Sequence, residues 1–202
     1  MNVNSSFIDT LKHALVSREP NTLVFNDAVL SPAAVLIPIF YKEGRHYLLL
    51  TKRTEAMEYH KGQICFPGGA QNTPEESPVD TALRETFEEI GVKPENVQVL
   101  GQLDRMSTLT SNFLVTPFVG FIDYPHDFTI NRDEIDELVE IPLDILANKQ
   151  HYHEEEYDVG GEKKRGIVYE YNNKVIWGAT ARMIKQLAGI VYADINEGGR
   201  LL

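Results

Sequence analysis

A chain of 202 residues, 43% hydrophobic and 24% charged, has the composition of an ordinary globular protein and is long enough for one domain with a substantial core. Its formal net charge of −11 excludes a nucleic-acid binder that works through a broad basic surface, but not a phosphate-bearing ligand, because a bound cation inverts the local sign. The single cysteine, Cys65, excludes an internal disulfide and suits a reducing compartment; within Ile64-Cys65-Phe66 it reads as a buried thiol rather than a nucleophile. No basic stretch leads into an apolar core at the N-terminus, and the longest apolar runs, Ala33–Tyr41 and Phe113–Ile122, are strand-sized. A soluble, cytoplasmic protein with no membrane association is expected.

The predicted elements follow in chain order. Ser5 or Ser6 can cap a first helix reaching about Ser17, with Phe7, Ile8, Leu11 and Leu15 on one side. Residues 1–30 read as a helical extension packed on the domain (31–202) or on a partner subunit, which leaves a homodimer open. Ala33–Tyr41 and His46–Arg53 form a hairpin around Lys42-Glu43-Gly44-Arg45, and a short helical turn follows at Glu55–Tyr59. At Pro67-Gly68-Gly69 flexible backbone can approach a ligand closely.

Ser77 then reads as a helix N-cap, Pro78 as the first helical residue, Asp80 as the partner in a capping box and Gly91 as the stop. Val79, Ala82, Leu83, Thr86, Phe87 and Ile90 recur at the spacing of one buried face. The other face carries Arg84, Glu85, Glu88 and Glu89. Three glutamates in the last two turns repel one another and meet the negative end of the helix dipole. Such a face is often simply solvated; otherwise a hard divalent cation suits converging carboxylates better than Arg84 alone.

Asn96–Arg105 and Asn112–Ile122 read as strands, and Pro125–Arg132 as a loop. Glu134–Ile141 is mixed in character, and Pro142–Ala147 reads as a short helix. His151–Arg165 is polar and reads as a loop or hairpin tip. Gly166–Tyr171 and Lys174–Trp177 pair around Asn172-Asn173, and Gly178–Val191 is the last long helix. Interleaved strands and helices give an α/β class.

The segment Phe66–Val92 resembles the Nudix box, G-x5-E-x7-R-E-U-x-E-E-x-G-U, in which U is a bulky aliphatic residue. The run Arg84-Glu85-Thr86-Phe87-Glu88-Glu89-Ile90-Gly91-Val92 matches its second half, with Thr86 in place of an aliphatic residue. Six residues rather than five separate Gly69 from Glu76, so either Gly69 or Ala70 occupies the glycine position. The resemblance implies a Nudix fold, an α-β-α sandwich with a mixed sheet, and diphosphate hydrolysis with Mg²⁺ or Mn²⁺. Glu85, Glu88, Glu89 and the Gly69 carbonyl would hold the ion, Arg84 would orient Glu85, and Glu76 would act from behind the ligands. Glu85 and Glu89 are also implied in catalysis. The water's proton would go to one of these two or to a later glutamate, among Glu134, Glu137 and Glu154 to Glu156.

Upstream, Leu49-Leu50-Thr51-Lys52-Arg53-Thr54 through His60-Lys61-Gly62 to Phe66-Pro67-Gly68-Gly69 resembles the accessory signature of the coenzyme A diphosphatase subgroup, as do Pro142-Leu143 and Ile176–Arg182. This implies a coenzyme A-like small molecule as substrate, cleaved to 3′,5′-ADP and 4′-phosphopantetheine. Lys52, Arg53, His60, Lys61 and Gly68 would contact it, since arginine grips phosphate with a fork and lysine acts as a point charge. The alternatives are ADP-ribose or another nucleoside diphosphate conjugate, or a module that binds without cleaving; capped RNA is disfavoured because no basic tract accompanies the box, and no nucleic-acid partner is expected.

Overall fold

One strand sends alternate side chains into two opposed cores, and the layers follow from it. In β2 (Ser31–Lys42), Ala33, Ile37 and Ile39 join one apolar cluster while Ala34, Leu36 and Phe40 join smaller clusters on the other face. Strand β3 (Arg45–Arg53) does the same, Leu48 and Leu50 going one way and Leu49 the other. The computed structural model describes residues 3–25, 29–55, 61–109, 111–159 and 162–198.

Between α1 (Val3–Val16) and α3 (Gly178–Gly198) on one face and α2 (Pro78–Ile90) on the other lies a nine-stranded mixed sheet. Its order is β1 (Thr22–Leu23), β7 (Arg105–Ser107), β8 (Phe113–Ile122), β2, β3 and β4 (Ile64–Cys65). Off this path, β5 (Gly68–Ala70) pairs with β2, β6 (Val97–Gln102) with β8 and β9 (Ile135–Pro142) with β3. The β1–β7 and β2–β8 pairs are parallel. A second, antiparallel sheet contains β10 (Tyr152–Val159), β11 (Glu162–Tyr171) and β12 (Lys174–Ile176). The α-β-α sandwich expected from the sequence is therefore present. Among the described residues no helix is long and apolar enough to cross a membrane.

The helix faces fall largely where the periodicity puts them. Phe7, Ile8, Leu11 and Leu15 of α1 share the larger core with Ala181, Ile184, Leu187, Ala188 and Val191 of α3. Asn172 and Asn173 both have positive φ, 48° and 60°, as a two-residue hairpin turn requires. Several boundaries differ. Asn96–Arg105 is two strands, because Asp104 turns its carboxylate to Arg18 and to the Asn21 N–H (2.8 Å). Glu134–Ile141 is a strand edge against β3, and the short helix after it spans only Leu143–Ile145. His151–Arg165 is mostly strand, with Glu156 opposite Arg165 and a 3.0 Å ion pair between them. The turn expected at Glu55–Tyr59 lies almost wholly outside the described residues.

His46 stacks on Phe7 of α1, ring centroids 3.9 Å apart, and burial lowers its pKa from 6.5 to about 4. The unfolded chain therefore binds a proton between these values that the folded chain does not, so stability is fully present above pH 6.5 and falls with acidification towards pH 4. After discounting for partial exposure we expect a loss on the order of 2 kcal/mol. His46→Phe should flatten this part of the pH–stability curve in urea denaturation.

Candidate active site

The helix that carries the acids is locally well specified. Ser77 Oγ accepts the Asp80 N–H at 3.2 Å, Pro78 occupies the first turn, and Gly91 closes the helix at φ 75° with its N–H on the Phe87 carbonyl. The buried face is rotated from the one expected. Phe87 is 47% exposed, whereas Thr81, Ala82, Thr86, Glu89 and Ile90 are buried. Packing on β2 through Ala82, Ala34 and Leu36 sets this orientation. Thr86 is accommodated there because its hydroxyl donates to the Ala82 carbonyl at 2.6 Å.

Rotating the helix this way brings a glutamate inside. Glu89 is 1% exposed, and burial pushes its carboxyl up to about 8 although Arg53 pulls the other way. The Arg53 guanidinium lies 3.4 Å from Glu89 Oε1 and 4.0 Å from Glu134 Oε2. Burial also raises Glu85, one turn earlier, against the influence of Arg84. Arg84 ties the region together: Nε bonds Glu76 at 2.8 Å, Nη1 bonds Glu85 at 2.7 Å and Glu88 at 3.1 Å, and Nη2 bonds the Ala70 carbonyl at 3.1 Å. Arg84 and the Asn72 N–H hold Glu76 down at about 2. Arg84→Gln is expected to raise the divalent-ion concentration for half-maximal activity about 10–100-fold, a size typical for residues that orient metal ligands. A metal titration of activity measures it.

Glu85, Glu89, Arg53, Glu134, Gly68 and Gly69 line one cleft of about 910 Å³, within the size range of small-molecule sites. Two features of this cleft fit a divalent cation. Glu89 Oε2 is buried with no hydrogen-bond partner, an expensive arrangement for a carboxylate unless a cation joins it. Gly69 passes so close to Glu85 that a Cβ there would fall 2.4 Å from the carboxylate carbon, so a side chain would fill the space in which that carboxylate sits. Among the described residues no three acidic, histidine or cysteine side chains form a ready-made cage. Mg²⁺ does not demand one, since it usually takes one or two carboxylates and keeps waters for substrate phosphates.

The remaining residues singled out in the sequence are dispersed. Glu88 stands 51% exposed at the rim on Arg84, so the three box glutamates do not converge as the helix pattern suggests. The register of β3 against β9 shifts between Lys52 and Arg53, and such bulges re-aim side chains. Arg53 enters the cleft, while Lys52 pairs with Asp136 at 3.1 Å and does not line it. Lys61 is exposed and away from the cleft wall, and His60 lies outside the described residues. Cys65 is half-buried on the cleft wall rather than in the core, and burial raises its thiol pKa, so it stays protonated. Of the later glutamates, Glu134 and Glu155 line the cleft, whereas Glu137 is held by Lys174. The far wall, with Phe113, Val175, Trp177, Arg182 and Met183, was not anticipated as part of a site; the one signal was the similarity of Ile176–Arg182 to a known signature.

Comparison with known proteins adds to this geometry. Residues 30–159 match the NUDIX domain. An uncharacterized Nudix hydrolase, NudL, of Pectobacterium atrosepticum is 42% identical over 156 residues, which cover 77% of this chain and 80% of that protein. Nudix hydrolase 3 of Caenorhabditis elegans is 40% identical over 146 residues, 71% of this chain and 60% of the relative. A solved MutT/nudix family protein from Enterococcus faecalis superposes with a TM-score of 0.51 at 15% identity, over 90% of this chain and 66% of that one, a likeness of fold.

Proposed function

Given that the chain belongs to the Nudix family and is a hydrolase of that family, we propose that it cleaves the diphosphate of coenzyme A or its derivatives, giving 3′,5′-ADP and 4′-phosphopantetheine or its acyl form. The observation that carries this reading is the meeting of two motifs in one cleft. Arg53, from the segment that resembles the coenzyme A signature, reaches the buried glutamate of the box helix.

Glu85 and Glu89 would hold Mg²⁺ or Mn²⁺, with Glu88 at the rim. The Ala70 carbonyl is already bonded to Arg84, which favours Gly69 as the backbone contributor. When bound, the ion neutralises the diphosphate and lowers the pKa of a coordinated water. The chain's own groups do the rest. Arg84 fixes Glu85 and Arg53 orients Glu89. Arg53 also offers its fork to a phosphate oxygen, and Glu134 or Glu155 accepts the proton of the attacking water, a role open to cleft carboxylates. A reduced Cys65 fits a cytoplasmic enzyme.

Incubation with coenzyme A, acyl-coenzyme A, ADP-ribose and NADH, with and without Mg²⁺ or Mn²⁺ and with products resolved by mass, tests the proposal. Metal-dependent release of 3′,5′-ADP is expected. Faster cleavage of ADP-ribose would reassign the substrate, and metal-dependent binding of coenzyme A without any product would point to a binding module.

A further inference from the structure

Among the described residues two later carboxylates line the cleft, Glu134 from the turn before β9 and Glu155 from β10. They are held differently. Glu155 is exposed on the second sheet and meets His153 at 3.8 Å. Glu134 stands 4.0 Å from the Arg53 guanidinium, which also contacts Glu89, and its charge acts on both Glu85 and Glu89. Asn131, three residues earlier, sets it there. The Asn131 N–H donates to the Glu89 carbonyl at 2.9 Å, covering one of the carbonyls that the end of α2 leaves without a helical partner. Its own carbonyl accepts at 2.8 Å from the N–H of Ile135, the first residue of β9. Its side chain closes the turn between them: Oδ1 accepts the Asp133 N–H at 3.2 Å and Nδ2 donates to Glu134 Oε1 at 3.2 Å. An amide meets both needs at once, whereas an aspartate would close the turn and repel the glutamate. The Thr54 N–H donates to the Glu134 carbonyl at 2.9 Å, tying the same turn to the strand that ends at Arg53.

We infer that Asn131 is a positioning residue: it fastens the end of the box helix to the start of β9 and aims the Glu134 carboxylate into the cleft as the acceptor of the attacking water's proton, in preference to Glu155. The inference rests on the hydrolytic reading above and not on the choice of coenzyme A. In the step itself the water's proton passes to a Glu134 oxygen and the water's oxygen bonds to phosphorus. The bridging P–O bond breaks, and its electron pair goes to the leaving phosphate. Oε1 is held by Asn131 and Oε2 faces Arg53, so both oxygens are restrained and the carboxylate is kept from turning out to solvent.

The test is a double-mutant cycle run with whichever diphosphate the wild type cleaves, kcat and KM being measured separately. Asn131→Asp keeps an oxygen for the Asp133 N–H and loses the donor to Glu134; Asn131→Ser, used should the first not fold, does the same without the added charge. Glu134→Gln should lower kcat about 10²–10⁴-fold, the size of a general base, and by more than Glu155→Gln does. Either Asn131 variant should lower kcat about 10–100-fold, with KM and the half-maximal metal concentration within about threefold of wild type. Introduced into Glu134→Gln, the same change should cost no more than about threefold further, because it acts through a carboxylate no longer present. An unchanged kcat in the Asn131 variants, losses that multiply in the double variant, a rise in KM in place of the fall in kcat, or a larger loss from Glu155→Gln each overturn the inference and leave the diphosphatase reading intact. A wild type that cleaves none of coenzyme A, acyl-coenzyme A, ADP-ribose and NADH overturns the reading and the inference together.

Discussion

Glu89→Gln is expected to lose at least about a thousandfold in turnover, as when a group acting on developing charge is removed, while the protein stays folded. The side chain is buried, its Oε2 has no partner, and burial raises its pKa to about 8. In metal-free protein the folded state therefore holds a proton between pH 4.5 and about 8 that the unfolded state releases, so stability falls as pH rises through this window. The slope for one such group is on the order of 1.4 kcal/mol per pH unit at most. The neutral glutamine removes this term, so with chelator present at pH 8 the variant should melt above the wild type. Adding Mg²⁺ should stabilise the wild type by mass action and leave the variant nearly unmoved. Thermal melts at pH 5 to 9, paired with activity, check both halves. Turnover within a few-fold of wild type would remove Glu89 from the site.

Gly69→Ala should cost about a hundredfold or more in kcat, since an ångström-scale displacement of a catalytic group is enough for that. The added Cβ would lie 2.4 to 2.6 Å from the Glu85 carboxylate atoms. The glycine's backbone cannot easily retreat, because β5 is paired to β2 with Gly69 opposite Ala34. Glu85 must swing, and Arg84, bonded to it at 2.7 Å, must follow or let go. Ala70→Gly is the control: Ala70 also lines the cleft, but its methyl is exposed and it contributes its carbonyl to Arg84, which glycine also has, so activity should stay within about threefold. Equal activities would place neither against the chemistry.

The box helix was legible to its caps because Ser77, Pro78 and Gly91 act through local backbone geometry. Its rotation was not. Phe87 and Glu89 both sit at positions that periodicity allows to be inside or outside, and only the sheet beneath, through Ala34 and Leu36, decides that the glutamate goes in and the phenylalanine out. The β10–β11 hairpin was hidden for a different reason. Its ladder sets Glu154, Glu155 and Glu156 opposite Ile167, Gly166 and Arg165, so neither strand shows the alternation of a half-buried sheet. The cleft's second wall joins Phe113 and Trp177 to residues of the box far away in the chain, and no local pattern announces such a meeting.

The match to the family begins at residue 30, yet Phe7, Ile8, Leu11 and Leu15 are 2–5% exposed within the same apolar cluster as α3 and the sheet. A truncation at that boundary would uncover the surfaces of β6 and α3 that α1 shields. At roughly 1.5–3 kcal/mol for each large side chain returned to water, the deficit rivals the entire margin by which a domain of this size stays native. The segment that homology delimits and the segment able to survive on its own are thus different lengths of chain, and excision at the former should yield aggregate rather than enzyme.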